Sequence, residues 1–304
     1  MGHTDRVSER RVDDPLTGVA ELRGLLDSPQ PPTVIDVRFR LGGPGCHRDY
    51  LAGHIPGAVF LDVDTELCGP PGPGGRHPLP DPPALQAVLR RAGVRADTPV
   101  VCYDGGDGWA ASRLWWTLRW AGHPRVRVLD GGWPAWLAAG SPVETGGRTP
   151  PPGDLVVRPG GMPLLDADAA AALPGTGVLL DVRAAVRYRG EHEPIDPVAG
   201  HVPGARNLPV TDLDGPDGLL LPAARLREVL AAAGVPDGAT VGAYCGSGIA
   251  AARAVLALTR AGVADPALYV GSWSNWVADG DRPIAVGDGA VVTPESESAD
   301  EVTR

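Results

Sequence analysis

The chain has 304 residues, enough for two ordinary domains, and its 43% hydrophobic and 21% charged residues are the balance of a soluble globular protein. Its 27 basic and 37 acidic residues leave a formal charge of −10, which argues against a general affinity for nucleic acid or an anionic membrane. No apolar run approaches a membrane span, and the polar start MGHTDRVSERRVDD lacks the apolar middle of a secretory signal, so a cytoplasmic protein is expected.

In chain order, short apolar runs alternate with segments of helical spacing. The strand TVIDV (33–37) is followed by GHIPGAVFL (53–61) and by CGPPGPGGRHPLPDPP (68–83), a Gly/Pro-rich stretch read as a surface loop. Then come the helix PALQAVLRRAG (83–93), the strand TPVVCY (98–103), the helix AASRLWWTLRWAG (110–122) and the strand VRVLD (126–130). The tryptophans of LWWTLRW are expected in the core, where a helix packs on a sheet. A second series has the same order: VLLDV (178–182), GHVPGARNL (200–208), LREVLAAAG (226–234), TVGAY (240–244), IAAARAVLALTRAG (249–262) and ALYV (267–270).

Strands alternating with helices imply an α/β fold, in two tandem copies, each a mainly parallel sheet flanked by helices. The expected division is a first domain over 15–145, a Pro/Gly-rich linker over 146–161, a second domain over 162–287 and a disordered acidic tail over 288–304. An internally duplicated chain has less need to dimerise, so a monomer is expected.

The four cysteines form no CxxC pair and have no histidine at zinc-finger spacing, which points to no metal site. Cys102 reads as a buried strand residue, and Cys46 and Cys68 as incidental loop residues. Cys245 differs. It follows the strand TVGAY and opens the helix IAAARAVLALTR through Gly246 and Gly248, at the carboxyl end of a strand where open parallel sheets bind ligands. Two glycines let backbone N–H groups curl towards one point, and with the helix N-terminus they form a cradle for an anion. A thiol placed there is held towards its nucleophilic form, and a persulfide fits the same cradle. Phosphatase chemistry would need an arginine six residues after the cysteine; that position is Ala251, and Arg253 points away. The first copy carries the same turn as YDGGDG (103–108), with Asp104 where the second has Cys245.

These motifs together, YLAGHIPGAVFLDVD, YDGGDGWAASRLWWTLRWAGHPRVRVLDGGW, DVRAAVRYRG, GHVPGARNLP, YCGSGIAAAR and YVGSWSNW, resemble the tandem-domain rhodanese and 3-mercaptopyruvate sulfurtransferase family over about residues 15–287. The resemblance implies a catalytically silent first domain and ping-pong sulfur transfer through a Cys245 persulfide, with no metal or organic cofactor. It implies a small anionic donor and a thiol acceptor, such as thioredoxin or a low-molecular-weight thiol, or cyanide. The loop Gly246, Ser247, Gly248, Ile249, Ala250 is similar to the CGSG loop of the mercaptopyruvate enzymes, in which the serine assists proton movement; Ser247 could equally be a helix cap. Arg187 matches the arginine that binds the anionic donor. Arg183 is expected to be structural.

Departures from the family pattern weaken the donor assignment. Asp196 stands where a second carboxylate-binding arginine is expected, and it should repel a carboxylate. Ala250 replaces a loop threonine, and Gly43 falls where the acid of the proton relay is expected. His54 is a candidate contribution from the first domain, or a residue that orients its own loop. Mercaptopyruvate is thus preferred over thiosulfate. A persulfide carrier with little activity on small donors is the alternative, and a peroxide sensor ranks last because no second cysteine lies near Cys245.

Overall fold

The structure is a computed structural model that describes residues 14–287 and 289–292. The first domain holds the strands β1 (Leu16–Thr17), β2 (Thr33–Asp36), β3 (Val59–Phe60), β4 (Val100–Tyr103) and β5 (Val126–Leu129). They form a wholly parallel sheet in the order β1-β5-β4-β2-β3. Its helices are α1 (Val19–Leu26), α2 (His47–Ala52), α3 (Val63–Glu66), α4 (Pro82–Arg91), α5 (Trp109–Trp120) and α6 (Gly132–Ala138).

The second domain repeats the plan with β6 (Leu164–Leu165), β7 (Val178–Asp181), β8 (Arg206–Asn207), β9 (Val241–Tyr244) and β10 (Ala267–Tyr269) in the order β6-β10-β9-β7-β8, again all parallel. Its helices are α7 (Ala167–Ala172), α8 (Ala185–Tyr188), α9 (Ala223–Ala232), α10 (Ile249–Ala261) and α11 (Ser272–Trp276). Every residue of β4, β7 and β9 is buried, as unbroken apolar strands demand when helices cover both faces of a parallel sheet.

The two domains share a core. α5 packs on α10 across the interface, and apolar side chains of both helices belong to one continuous buried cluster. Trp115 and Trp116 are fully buried in it, as core residues rather than a stacking surface. The connecting segment has neither helix nor strand between residues 145 and 163, yet it is fastened to the first domain. Gly153 N–H donates to Arg90 O (2.7 Å), Arg158 N–H donates to Ala121 O (2.8 Å), and Leu155 is buried. Glycine is required at 153 because a Cβ there would collide with the Val94 carbonyl.

One expectation is corrected at the C-terminal end. Ala290–Val292, placed in a disordered tail, forms β12 and pairs antiparallel with β11 (Ile284–Val286). The rest of the expected tail, apart from Gly289, lies outside the described residues.

Candidate active site

The strand–turn–helix unit of each domain ends its central strand in a glycine-bearing loop: 104–108 after β4 and 245–248 after β9. Gly108 and Gly248 close these loops at φ +71° and +80°, the left-handed conformation that glycine adopts freely. At Gly248 a side chain is also excluded by the Val270 carbonyl. Cys245 is 4% exposed, and its Sγ accepts a hydrogen bond from Gly248 N–H at 3.1 Å. The loop is held from behind by α11 and the turn before it. Cys245 N–H donates to Ser272 Oγ (3.2 Å), Trp273 N–H to Cys245 O (3.0 Å) and Ser274 N–H to Gly246 O (2.9 Å). Ser272 sits at φ +54°, a strained conformation for a residue with a side chain, and its Oγ donates to Tyr269 O at 2.8 Å. Burial pushes the thiols of Cys46, Cys68 and Cys102 up from their ordinary value, which keeps those three protonated.

Ser247 is 5% exposed and reaches out of its own domain: its Oγ lies 2.7 Å from His77 Nδ1. The other ring nitrogen, His77 Nε2, lies 2.9 Å from Asp64 Oδ1. A carboxylate only accepts, so Nε2–H donates to Asp64, and in the neutral ring Nδ1 is left to accept the Ser247 hydroxyl proton. Burial pushes the His77 imidazole below its ordinary value, with Asp64 opposing, which keeps the ring neutral at pH 7. The result is a carboxylate–imidazole–hydroxyl chain whose hydroxyl belongs to the same loop as Cys245, two residues further on.

The Gly/Pro-rich stretch read as a surface loop is the arm that delivers the imidazole of this chain. Pro73 O accepts from Asn275 Nδ2 (2.6 Å), and Arg76 N–H donates to Ser274 Oγ (3.0 Å). At Gly75, φ +104°, a Cβ would lie 2.6 Å from Gly271 O, so the arm can lie this close to the second domain only as glycine. Asp64, Arg76 and His77 were all missed by reading the sequence. The one signal available was that this connection is longer in the first copy than its counterpart in the second.

Arg187, on the short helix α8, lies at the loop as expected. Its Nη2 and Nη1 are 3.5 and 3.7 Å from the position a Cβ on Gly246 would take, and Arg76 Nη2 is 2.8 Å from that point. Two guanidinium groups, one from each domain, therefore converge on the residue after the thiol. Arg187 Nε and Nη2 pair with Glu193 at 2.9 and 2.6 Å, and Nη2 also meets Asp196 Oδ2 at 3.3 Å. Asp196, expected to repel a donor, is instead buried between the arginines as the ion-pair partner of both Arg187 and Arg76. Arg183 is structural: it is bound to Asp181, to Glu193 and to Gly200 O. Ile249 is buried in the core, and Ala250, partly buried, packs against it.

His54 does not reach this site. Its Nδ1 bonds to Tyr50 O (2.8 Å) and its ring stacks on Tyr50 at 4.1 Å, all within the first domain. His201 does the same in the second domain, with Tyr188 O at 2.7 Å and the Tyr188 ring at 3.7 Å. The histidine of each GHxPGA turn thus braces its own domain, and the acid expected near Gly43 is found instead at Asp64. Among the described residues no cluster of side chains could hold a metal ion, and no helix is long and apolar enough to cross a membrane.

Two parallel five-stranded sheets, the second with a thiol-bearing cradle at the carboxyl end of its central strand, define a tandem-domain α/β protein. The rhodanese-like domain profile matches residues 18–139 and again residues 166–279, and the chain belongs to that family. It is 33% identical over 262 residues to the 3-mercaptopyruvate sulfurtransferase of Escherichia coli K12, covering 83% of this chain and 92% of that one. It is 44% identical over 278 residues to a Mycobacterium tuberculosis protein named as a thiosulfate sulfurtransferase, SseB, covering 90% and 97%. The crystal structure of SseA from Escherichia coli, a 3-mercaptopyruvate sulfotransferase by its description, superposes with a TM-score of 0.77 at 31% identity, over 86% of this chain and 100% of that one.

Proposed function

We propose that the protein is a sulfurtransferase that moves a sulfane sulfur from an anionic donor, through a persulfide on Cys245, to a thiol or cyanide acceptor. The donor it favours is 3-mercaptopyruvate. The observation that carries this preference is the Asp64–His77–Ser247 chain, with its 2.9 and 2.7 Å contacts, ending in the Cys245 loop.

Mercaptopyruvate needs a proton moved. The Cys245 thiolate attacks the donor sulfur, the S–S bond forms, and the C–S bond breaks with its electrons passing to the enolate of pyruvate. The donor's thiol proton must leave and the enolate carbon must gain one. Ser247 and His77 take up the first and return the second, so charge and protons balance. Thiosulfate needs no such step, because attack on its outer sulfur expels sulfite directly. Arg187 and Arg76, held by Asp196, bind the donor's anionic end, and the first unbonded N–H groups of α10 receive the outer sulfur of the persulfide. An acceptor thiolate then takes that sulfur and restores the Cys245 thiolate. The four unpaired cysteines fit a reducing cytoplasm.

The relative named as a thiosulfate sulfurtransferase favours the second reading, with thiosulfate as donor. Thiocyanate formation from cyanide, measured with each donor, decides between them. Faster turnover with mercaptopyruvate is expected; faster turnover with thiosulfate reverses the donor assignment. Folded protein inactive with both removes the enzymatic reading, and a Cys245 persulfide formed only from a protein donor makes the chain a carrier.

A further inference from the structure

α5 and α10 each send one arginine into the other domain's loop. Arg253 of α10 places Nη1 2.6 Å from where a Cβ on Gly108 would sit, and its Nη2 meets carboxylates of Asp214 at 2.8 Å and Asp130 at 3.6 Å. Arg113 of α5 makes the matching approach, with Nη1 2.7 Å from where a Cβ on Gly248 would sit. There the symmetry breaks. Arg113 is 0% exposed, yet it donates only to two carbonyls, Gly248 O at 3.3 Å and His77 O at 2.9 Å. Its Nε has no partner, and it forms no ion pair among the described residues.

A guanidinium taken out of water without an anion is strongly disfavoured, so a partner for this charge is required. The neighbours of Arg113 able to become negative are Cys68 and Cys245. Burial holds Cys68 as a thiol against the pull of Arg113 in the other direction, with Asp64 and Asp62 adding to the burial. Cys245 remains, its Sγ on the N–H of Gly248, the same residue whose carbonyl Arg113 holds. We propose that Arg113 is the counter-ion of the sulfur anion on Cys245, as thiolate and as persulfide. The sulfur carries one negative charge in both states, so the pairing persists through the cycle. The catalytically silent domain thereby supplies the buried positive charge for chemistry in the other. This rests on Cys245 being the nucleophile; the other charged or titratable groups around its loop are Arg76, Arg187, Asp196, Glu193 and His77.

The test is alkylation of Cys245 by iodoacetamide, a neutral reagent whose attraction to the site no charge change alters, followed by peptide mass spectrometry. In Arg113→Met the rate at pH 6.5 should fall about tenfold or more, and the gap to the wild type should narrow as pH rises. Arg113→Lys, which keeps the charge, should recover most of the loss. Equal rates for wild type and Arg113→Met at pH 6.5 overturn the proposal. A second measurement needs no Arg113 variant: the melting temperature of wild type minus that of Cys245→Ser should grow as pH rises and the pair forms. A difference that shrinks with rising pH overturns the proposal, because it means the thiolate is buried without a partner. Neither readout uses sulfur transfer, so an inactive wild type would defeat the proposed function without deciding this point.

Discussion

The loops after β4 and β9 share one strand–turn–helix frame and differ in what fills it. In the first, Asp104 fills the cradle with the chain's own carboxylate: Oδ1 accepts from Gly106 and Gly108 N–H at 2.9 and 3.1 Å, and Oδ2 from Ala111 N–H at 3.0 Å. In the second, Cys245 Sγ accepts from Gly248 N–H alone among the described hydrogen bonds, which leaves the start of α10 for a second sulfur. The surroundings diverge further. The second loop receives His77, Arg76 and Arg113 from the other domain, whereas the first receives Arg253, already paired with acids. An anion cradle is therefore not in itself an active site. What the opposite domain brings to it decides.

Replacing Cys245 by Ser should have the largest effect, a loss of turnover of roughly a thousandfold or more with the protein still folded, read by thiocyanate release and circular dichroism. The converse change, Asp104→Cys in that background, should restore nothing, since no imidazole–hydroxyl relay reaches residue 104. Recovered activity there would break the distinction between the loops. Next, His77→Ala should lower kcat with mercaptopyruvate by roughly a hundredfold while affecting thiosulfate much less. An equal loss with both donors would take the proton relay out of the preference.

Asp104→Asn should act on stability rather than chemistry. It removes a charged acceptor from three N–H groups, two of them buried, so unfolding in urea should show a loss of about 1–3 kcal/mol with the KM for donor unchanged. The smallest effect is a pH dependence. Burial lowers the His77 value, so below about pH 6.5 the unfolded chain binds a proton that the folded chain refuses, and stability falls as pH falls. The melting temperature of His77→Gln should therefore decline less between pH 6.5 and 5 than that of the wild type.

Much of this molecule was legible in one dimension. The runs VVCY, VLLD and VGAY are buried parallel strands, and the alternation with amphipathic segments gave both sheets their covering helices. Cys245, Ser247 and Arg187 could be picked out because each lies in or beside a recognisable turn. His54 misled, since a histidine repeated at 54 and 201 is better explained by a bracing role common to both domains. Arg76 and His77 were hidden because they sit in a segment without periodicity, and their partners, Asp196 and Ser247, lie far along the chain; Asp64, on α3, is tied to them only through His77. Asp196 was misread for the same reason: a carboxylate's effect on a donor depends on which cations already hold it.

The sequence by itself determined the duplicated α/β architecture, the glycine-built cradle and the cysteine that sits in it, because periodicity and turn chemistry act between near neighbours. Only the tertiary structure decided how the cradle works. The imidazole and carboxylate that meet its serine, its second arginine and its buried guanidinium all come from the opposite domain, and contacts at such separation are set by how α5 and α10 pack, which no local pattern encodes.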